Sequence, residues 1–118
     1  MKYILLIYEN EQNLKNMPAP AMEAMLGEYR ALSESITKSG HFLGGGQLHP
    51  TDRATSLRFR DGRLATVDGP FAETKEQLGG FYMVEAKDLD EAIAIGARIP
   101  SVRQGTIEVR PVVERPRP

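Results

Sequence analysis

Near its start the chain carries a run, Lys2–Tyr8, that is apolar on both sides of a strand. Strand side chains alternate, so Tyr3, Leu5 and Ile7 share one face and Ile4, Leu6 and Tyr8 the other. A strand that is apolar on both faces needs both of them covered. In a chain of 118 residues, two helices can cover one face of a small sheet. The other face then needs a layer from elsewhere.

The rest of the sequence supplies those helices and the remaining strands. Residues 10–16 are polar and read as a loop. After Pro18 and Pro20, Met22, Met25, Leu26, Tyr29, Leu32 and Ile36 recur at helical spacing, and Gly40 stops the helix. Met22 and Met25 are expected to fill gaps in the core, as flexible methionines do. Phe42-Leu43 opens a second strand that runs into Gly44-Gly45-Gly46, where a bulge or a close backbone approach is expected. Residues 55–60 and 63–67 flank Asp61-Gly62, a strong two-residue hairpin signal. Leu57 and Phe59 alternate with polar residues there, which predicts cover on one hairpin face only. A strand follows at 80–86, and Asp88 with Glu91 has the capping-box spacing of a second helix ending by Pro100. Residues 106–113 form the last predicted strand.

This order is strand, helix, strand, hairpin, strand, helix, strand. Without the hairpin it is βαββαβ, the ferredoxin-like α+β pattern, as one domain over 1–113 with a frayed tail at 114–118. Both helices then lie on one face of the sheet, and stacking two sheets in a homodimer would bury the other.

Several function classes drop out. The chain has no cysteine, so thiolate metal sites and a Cys nucleophile are excluded. With 15 basic and 16 acidic residues, bulk charge draws the chain to neither nucleic acid nor anionic membrane. The apolar opening is too short to span a membrane and lacks a cleavage site, so the expected location is the cytoplasm. The two histidines fall in no metal-ligand spacing, and no cofactor motif is present.

The richest stretch for chemistry is 68–82, where two turn signals bracket a charged loop. Asp68 beside Gly69-Pro70 is a candidate general base or ligand anchor, or simply holds its own turn. His49 is its candidate partner in acid–base work, unless His49-Pro50-Thr51-Asp52 is only a turn. Arg58, Glu73, Lys75 and Tyr82 are candidate ligand contacts, and Phe71 is placed to line a cavity or plug the core. His41, just after Gly40, suits a helix C-terminus.

Asp68-Gly69-Pro70-Phe71-Ala72-Glu73-Thr74-Lys75-Glu76, with Gly79-Gly80-Phe81, resembles the signature of the DGPF family, a branch of the YCII-related proteins. The likeness extends to Asp88-Leu89-Asp90-Glu91-Ala92 and to Ile107-Glu108-Val109-Arg110-Pro111. The resemblance implies a ferredoxin-like fold pairing into a dimeric α/β barrel. It also implies an active site built on a His–Asp pair, to which Asp68 corresponds. The family's histidine belongs to the first helix, and residues 19–39 contain none. Two functions follow as expectations: a homodimeric pocket that binds a small metabolite or performs cofactor-free acid–base chemistry on it, or a regulatory partner of an extracytoplasmic-function sigma factor.

Overall fold

A computed structural model describes residues 1–116; Arg117 and Pro118 of the expected tail lie outside the described residues. In chain order the elements are β1 (Lys2–Glu9), α1 (Glu11–Lys15), α2 (Ala19–Lys38), β2 (Phe42–Gln47), β3 (Thr55–Arg60), β4 (Arg63–Asp68), β5 (Gln77–Glu85), α3 (Leu89–Gly96) and β6 (Thr106–Pro111). Four strands form one antiparallel sheet in the order β2-β5-β1-β6, and β3 and β4 pair separately as a hairpin. This is the ferredoxin-like α+β arrangement, with the hairpin inserted between β2 and β5.

The alternation in β1 sets the layers. Tyr3, Leu5 and Ile7 are buried with Tyr82 and Val84 of β5, Leu32 and Ile36 of α2, and Ala92 and Ile95 of α3. Both helices therefore cover this face. On the opposite face Ile4 lies across from Met83 and Leu6 from Phe81, and all four remain partly open to solvent. Among the described residues no element supplies the layer that the sequence demands for this second face.

The helix ends follow from local chemistry. Gly40 adopts φ 80°, which lets the His41 N–H bond the Ile36 carbonyl at 3.0 Å and the Gly40 N–H bond that of Thr37 at 3.1 Å. Asp88 caps α3 by accepting from the Glu91 N–H at 2.9 Å, and the Glu91 carboxylate accepts from the Lys87 N–H at 3.1 Å. Residues 10–16, expected as a loop, instead form the short helix α1. The Asn10 side chain caps it, accepting from the Asn13 N–H at 3.0 Å. The second long helix ends at Gly96, earlier than Pro100, which opens a 3-10 turn at Pro100–Arg103.

The hairpin turns at Asp61 and Gly62 (φ 51° and 75°), the left-handed pair that a two-residue hairpin turn requires. Neither of its faces is covered, contrary to the expectation of one: Leu57, Phe59, Leu64 and Val67 are all exposed, Phe59 by 73%. The radius of gyration, 16.4 Å, exceeds the roughly 13.5 Å of a compact chain this long. The hairpin is an arm.

His41 joins the two helices. Its Nδ1 lies 2.6 Å from Ser39 Oγ, and its Nε2 lies 3.0 Å from the Glu91 carboxylate. The Lys87 N–H first, and His41 next, hold the Glu91 carboxyl below its ordinary range. A depressed carboxyl stabilises the fold above its unfolded value, about 4.5, and loses that contribution as pH falls through the folded value. Glu91→Gln is therefore expected to lower the melting temperature at neutral pH. The gap to the parent should shrink on acidification below about pH 4, and a gap that stays constant with pH would contradict this role.

Candidate functional site

A cavity of about 570 Å³ lies between the N-terminal half of α2 and the helix-covered face of the sheet. Its origin is a mismatch of side-chain size. Met22, Met25 and Leu26 project from α2, but the sheet opposite presents Gly45, Gly46, Gly79 and Gly80. Two of them, Gly45 and Gly80, stand where strands β2 and β5 approach closely. A Cβ on Gly45 would meet the Phe81 carbonyl oxygen at 2.6 Å, and one on Gly80 would meet that of Gly46 at 2.8 Å. The register of β2 also shifts between Phe42 and Gly44, the bulge expected from the triple glycine. Met22 and Met25 thus roof a cavity; the expectation that they fill the core fails because the glycines opposite carry no side chains to meet them.

Short tethers build the rim. The Glu11 carboxylate accepts from the Thr51 N–H at 2.8 Å and the Thr51 hydroxyl at 2.6 Å, and the Glu11 N–H donates to Gln77 Oε1 at 2.9 Å. Together these bonds hold α1, the segment after β2 and the start of β5 around the opening. His49 and Pro50 lie on that rim.

The cavity lining also carries polar groups. Glu9 continues the inward series Tyr3, Leu5, Ile7 and is only 6% exposed. Its Oε2 accepts from Gln104 Nε2 at 3.2 Å, and among the described residues its Oε1 accepts no hydrogen bond. Burial pushes the Glu9 carboxyl above its ordinary value against the lowering effect of Gln104, and the nearby Glu76 charge pushes the same way. The Tyr29 hydroxyl bonds Ser101 Oγ and is pushed up to about 12, chiefly by burial, with the Glu9 charge adding. Ser33 Oγ and the Tyr82 hydroxyl lie 2.9 Å apart. Glu9, Tyr29, Ser33 and Tyr82 all line the cavity.

Of the residues singled out in the sequence, Tyr82 stands in the cavity wall and His49 on its rim. Asp68 closes β4, exposed and opposite Thr55, and among the described residues it bonds neither His49 nor its own turn. The turn is held instead by Ser56 Oγ donating to the Gly69 carbonyl at 2.8 Å and by the Gly69 N–H to Ala54 at 2.7 Å. Arg58 lies on the arm, and Glu73 and Lys75 are exposed in the loop beyond it. Phe71, expected as a core plug, is 80% exposed and plugs nothing in its own chain. Among the described residues no three His, Asp or Glu side chains converge as a metal site.

Glu9, Tyr29, Ser33 and Ser101 were not among the residues singled out. A signal for Glu9 was present: a carboxylate at the next inward position of an apolar strand. Tyr29 was legible only as one more apolar position on α2.

The sequence profile of the YCII-related domain matches residues 1–115, nearly the whole chain. The chain belongs to the YCII-related family. Uncharacterized protein R00369 of Rhizobium meliloti (strain 1021) is 33% identical to this YCII-related protein over 114 residues, spanning 95% of this chain and 92% of that one. No helix among the described residues of the YCII-related chain is long and apolar enough to cross a membrane.

Proposed function

We propose that the protein is a small-molecule-binding module that works as a cytoplasmic homodimer, with its ligand in the cavity under α2. The cavity carries this proposal. At about 570 Å³ it falls in the range of roughly 300–1,000 Å³ usual for ligand sites, and it combines apolar walls with a few convergent polar groups. Tyr82 forms part of the wall, and His49 is the acid–base candidate at the rim. A second copy of the chain is the occupant proposed for the open sheet face, because β1 is apolar on that side as well. In such an assembly the arm with Arg58 and Asp68, and the loop with Phe71, Glu73 and Lys75, would act at a second copy's cavity as ligand contacts or as the acid–base group.

Met22→Trp, which fills the cavity from its roof, tests the binding proposal. A thermal-shift screen of small metabolites is expected to give stabilising compounds for the parent chain and none for the variant. If the parent binds nothing at millimolar concentration, or the variant binds as well, the proposal fails.

The exposed apolar arm favours a second reading, a regulatory partner such as an extracytoplasmic-function sigma factor. Leu57, Phe59 and Leu64 form an apolar surface of the kind that marks protein contacts. Pull-down from the native host separates the two: recovery of a sigma factor that is lost in Phe59→Ser supports the second.

A further inference from the structure

We propose that the cavity recognises an organic amine, a compact apolar body bearing one ammonium group, with Glu9 as the residue that receives the charge. This inference rests on the binding module proposed above and names its ligand class.

The first argument is the missing counter-charge. A carboxylate taken out of water is paired with a cation or kept neutral by a proton. Glu9 is 6% exposed, and among the described residues no Lys, Arg or His forms an ion pair with it. Among the described residues its hydrogen-bond partner is the neutral amide of Gln104 on Oε2, its Oε1 accepts no hydrogen bond, and the residue lines the cavity. The burial that raises the Glu9 carboxyl is the same deficit seen as proton affinity. An ammonium group would supply the absent charge and bond Oε1.

The second argument is what surrounds the carboxylate. The ring of Tyr29 lines the same cavity close enough to Glu9 to feel its charge, and aromatic faces attract cations. Tyr82 and Phe42 line the wall farther along the strands. Phe42 packs edge-on against Tyr82, with ring centroids 6.2 Å apart. Glu76 adds negative potential at Glu9. Anions are disfavoured around Glu9. The other titratable groups bordering the site, Glu11, Lys15 and His49, lie towards the rim, and the Glu11 carboxylate is already committed to Thr51.

Three probes that share a phenethyl body test the inference by calorimetry on the full chain: phenethylamine, phenethyl alcohol and hydrocinnamate. The amine is expected to bind at least tenfold more tightly than the alcohol, and hydrocinnamate most weakly. As pH rises through and above the ordinary carboxyl range the affinity for the amine should increase as Glu9, its carboxyl raised by burial, gives up its proton, while that for the alcohol stays flat. Glu9→Gln should remove the preference for the amine and keep the alcohol. Glu9→Asp, which retains the charge, should preserve the order and guards against a folding defect in the Gln variant. If the alcohol binds as tightly as the amine, or Glu9→Gln leaves the preference intact, the ligand class is wrong and the cavity proposal stands. If none of the three binds while the metabolite screen still gives a stabilising compound, the ligand class falls and the cavity proposal stands; if neither gives binding, both fall.

Discussion

Leu6→Lys is expected to turn the proposed dimer into a folded monomer, with at least a hundredfold rise in the dimer dissociation constant. Leu6 is central on the open sheet face, opposite Phe81 on one side and Glu108 on the other. In a single chain a lysine there would stand in solvent beside Glu108, so the fold should hardly change. A face-to-face pair of sheets about 10 Å apart would bury that ammonium in an apolar layer. Two-fold symmetry would do so twice. A hundredfold loss is only about 2.7 kcal/mol, less than two unpaired buried charges usually cost. Light scattering at micromolar concentration reads the mass, and circular dichroism confirms the fold. Because Leu6 does not line the cavity, binding through the chain's own residues should survive in the monomer. Binding that needs the partner's arm should not. A parent chain that is already monomeric would end the dimer proposal.

The sequence made the layers legible because the relevant signals are local. Alternation in Lys2–Tyr8, the glycine stop at Gly40, the cap at Asp88 and the Asp61-Gly62 turn each act within a few residues, and each appears where expected. The cavity is different in kind. It arises because Gly45 and Gly80 face Met22 and Met25 across the core, a meeting of segments far apart in sequence. Each segment alone has an ordinary explanation: methionines fill cores, and glycines make bulges. Only the register of β2 on β5 brings the two deficits of volume together. The loop at 68–76 is illegible for the complementary reason. Its turn residues and charges are those of a binding loop, yet nothing in its composition says which body it faces. The arm carries its start at Asp68 away from the cavity of its own chain, while its end returns to it, with Lys75 held by Asn10 and Glu76 acting on Glu9.

Glycines that permit close approach also give the largest expected effect on stability. At Gly105, just before β6, a Cβ would meet the Tyr8 carbonyl oxygen at 2.1 Å and Glu9 Cγ at 3.0 Å. The first of these is backbone in a central strand, so no side-chain rotation relieves it; either β1 or the segment after Ser101 must move. Gly105→Ala is therefore expected to cost about 3 kcal/mol, at the upper end for overpacking, or roughly 12 °C in melting temperature for a domain of this size. The same displacement would draw Gln104 from Glu9 and disturb the polar lining of the cavity. Gly27→Ala is the matched control. Gly27 lies within α2, and the nearest atom to an added Cβ is the guanidinium tip of Arg30 at 3.9 Å. There the gain in helix propensity should stabilise the chain by roughly 0.5–1 kcal/mol. One alanine thus lowers the melting temperature and the other raises it, a difference in sign that denaturation by heat or urea reads directly. If Gly105→Ala were as mild as Gly27→Ala, the contact between β1 and the turn that shelters Glu9 would be looser than the packing requires, and Glu9 would lose the enclosure on which its role depends.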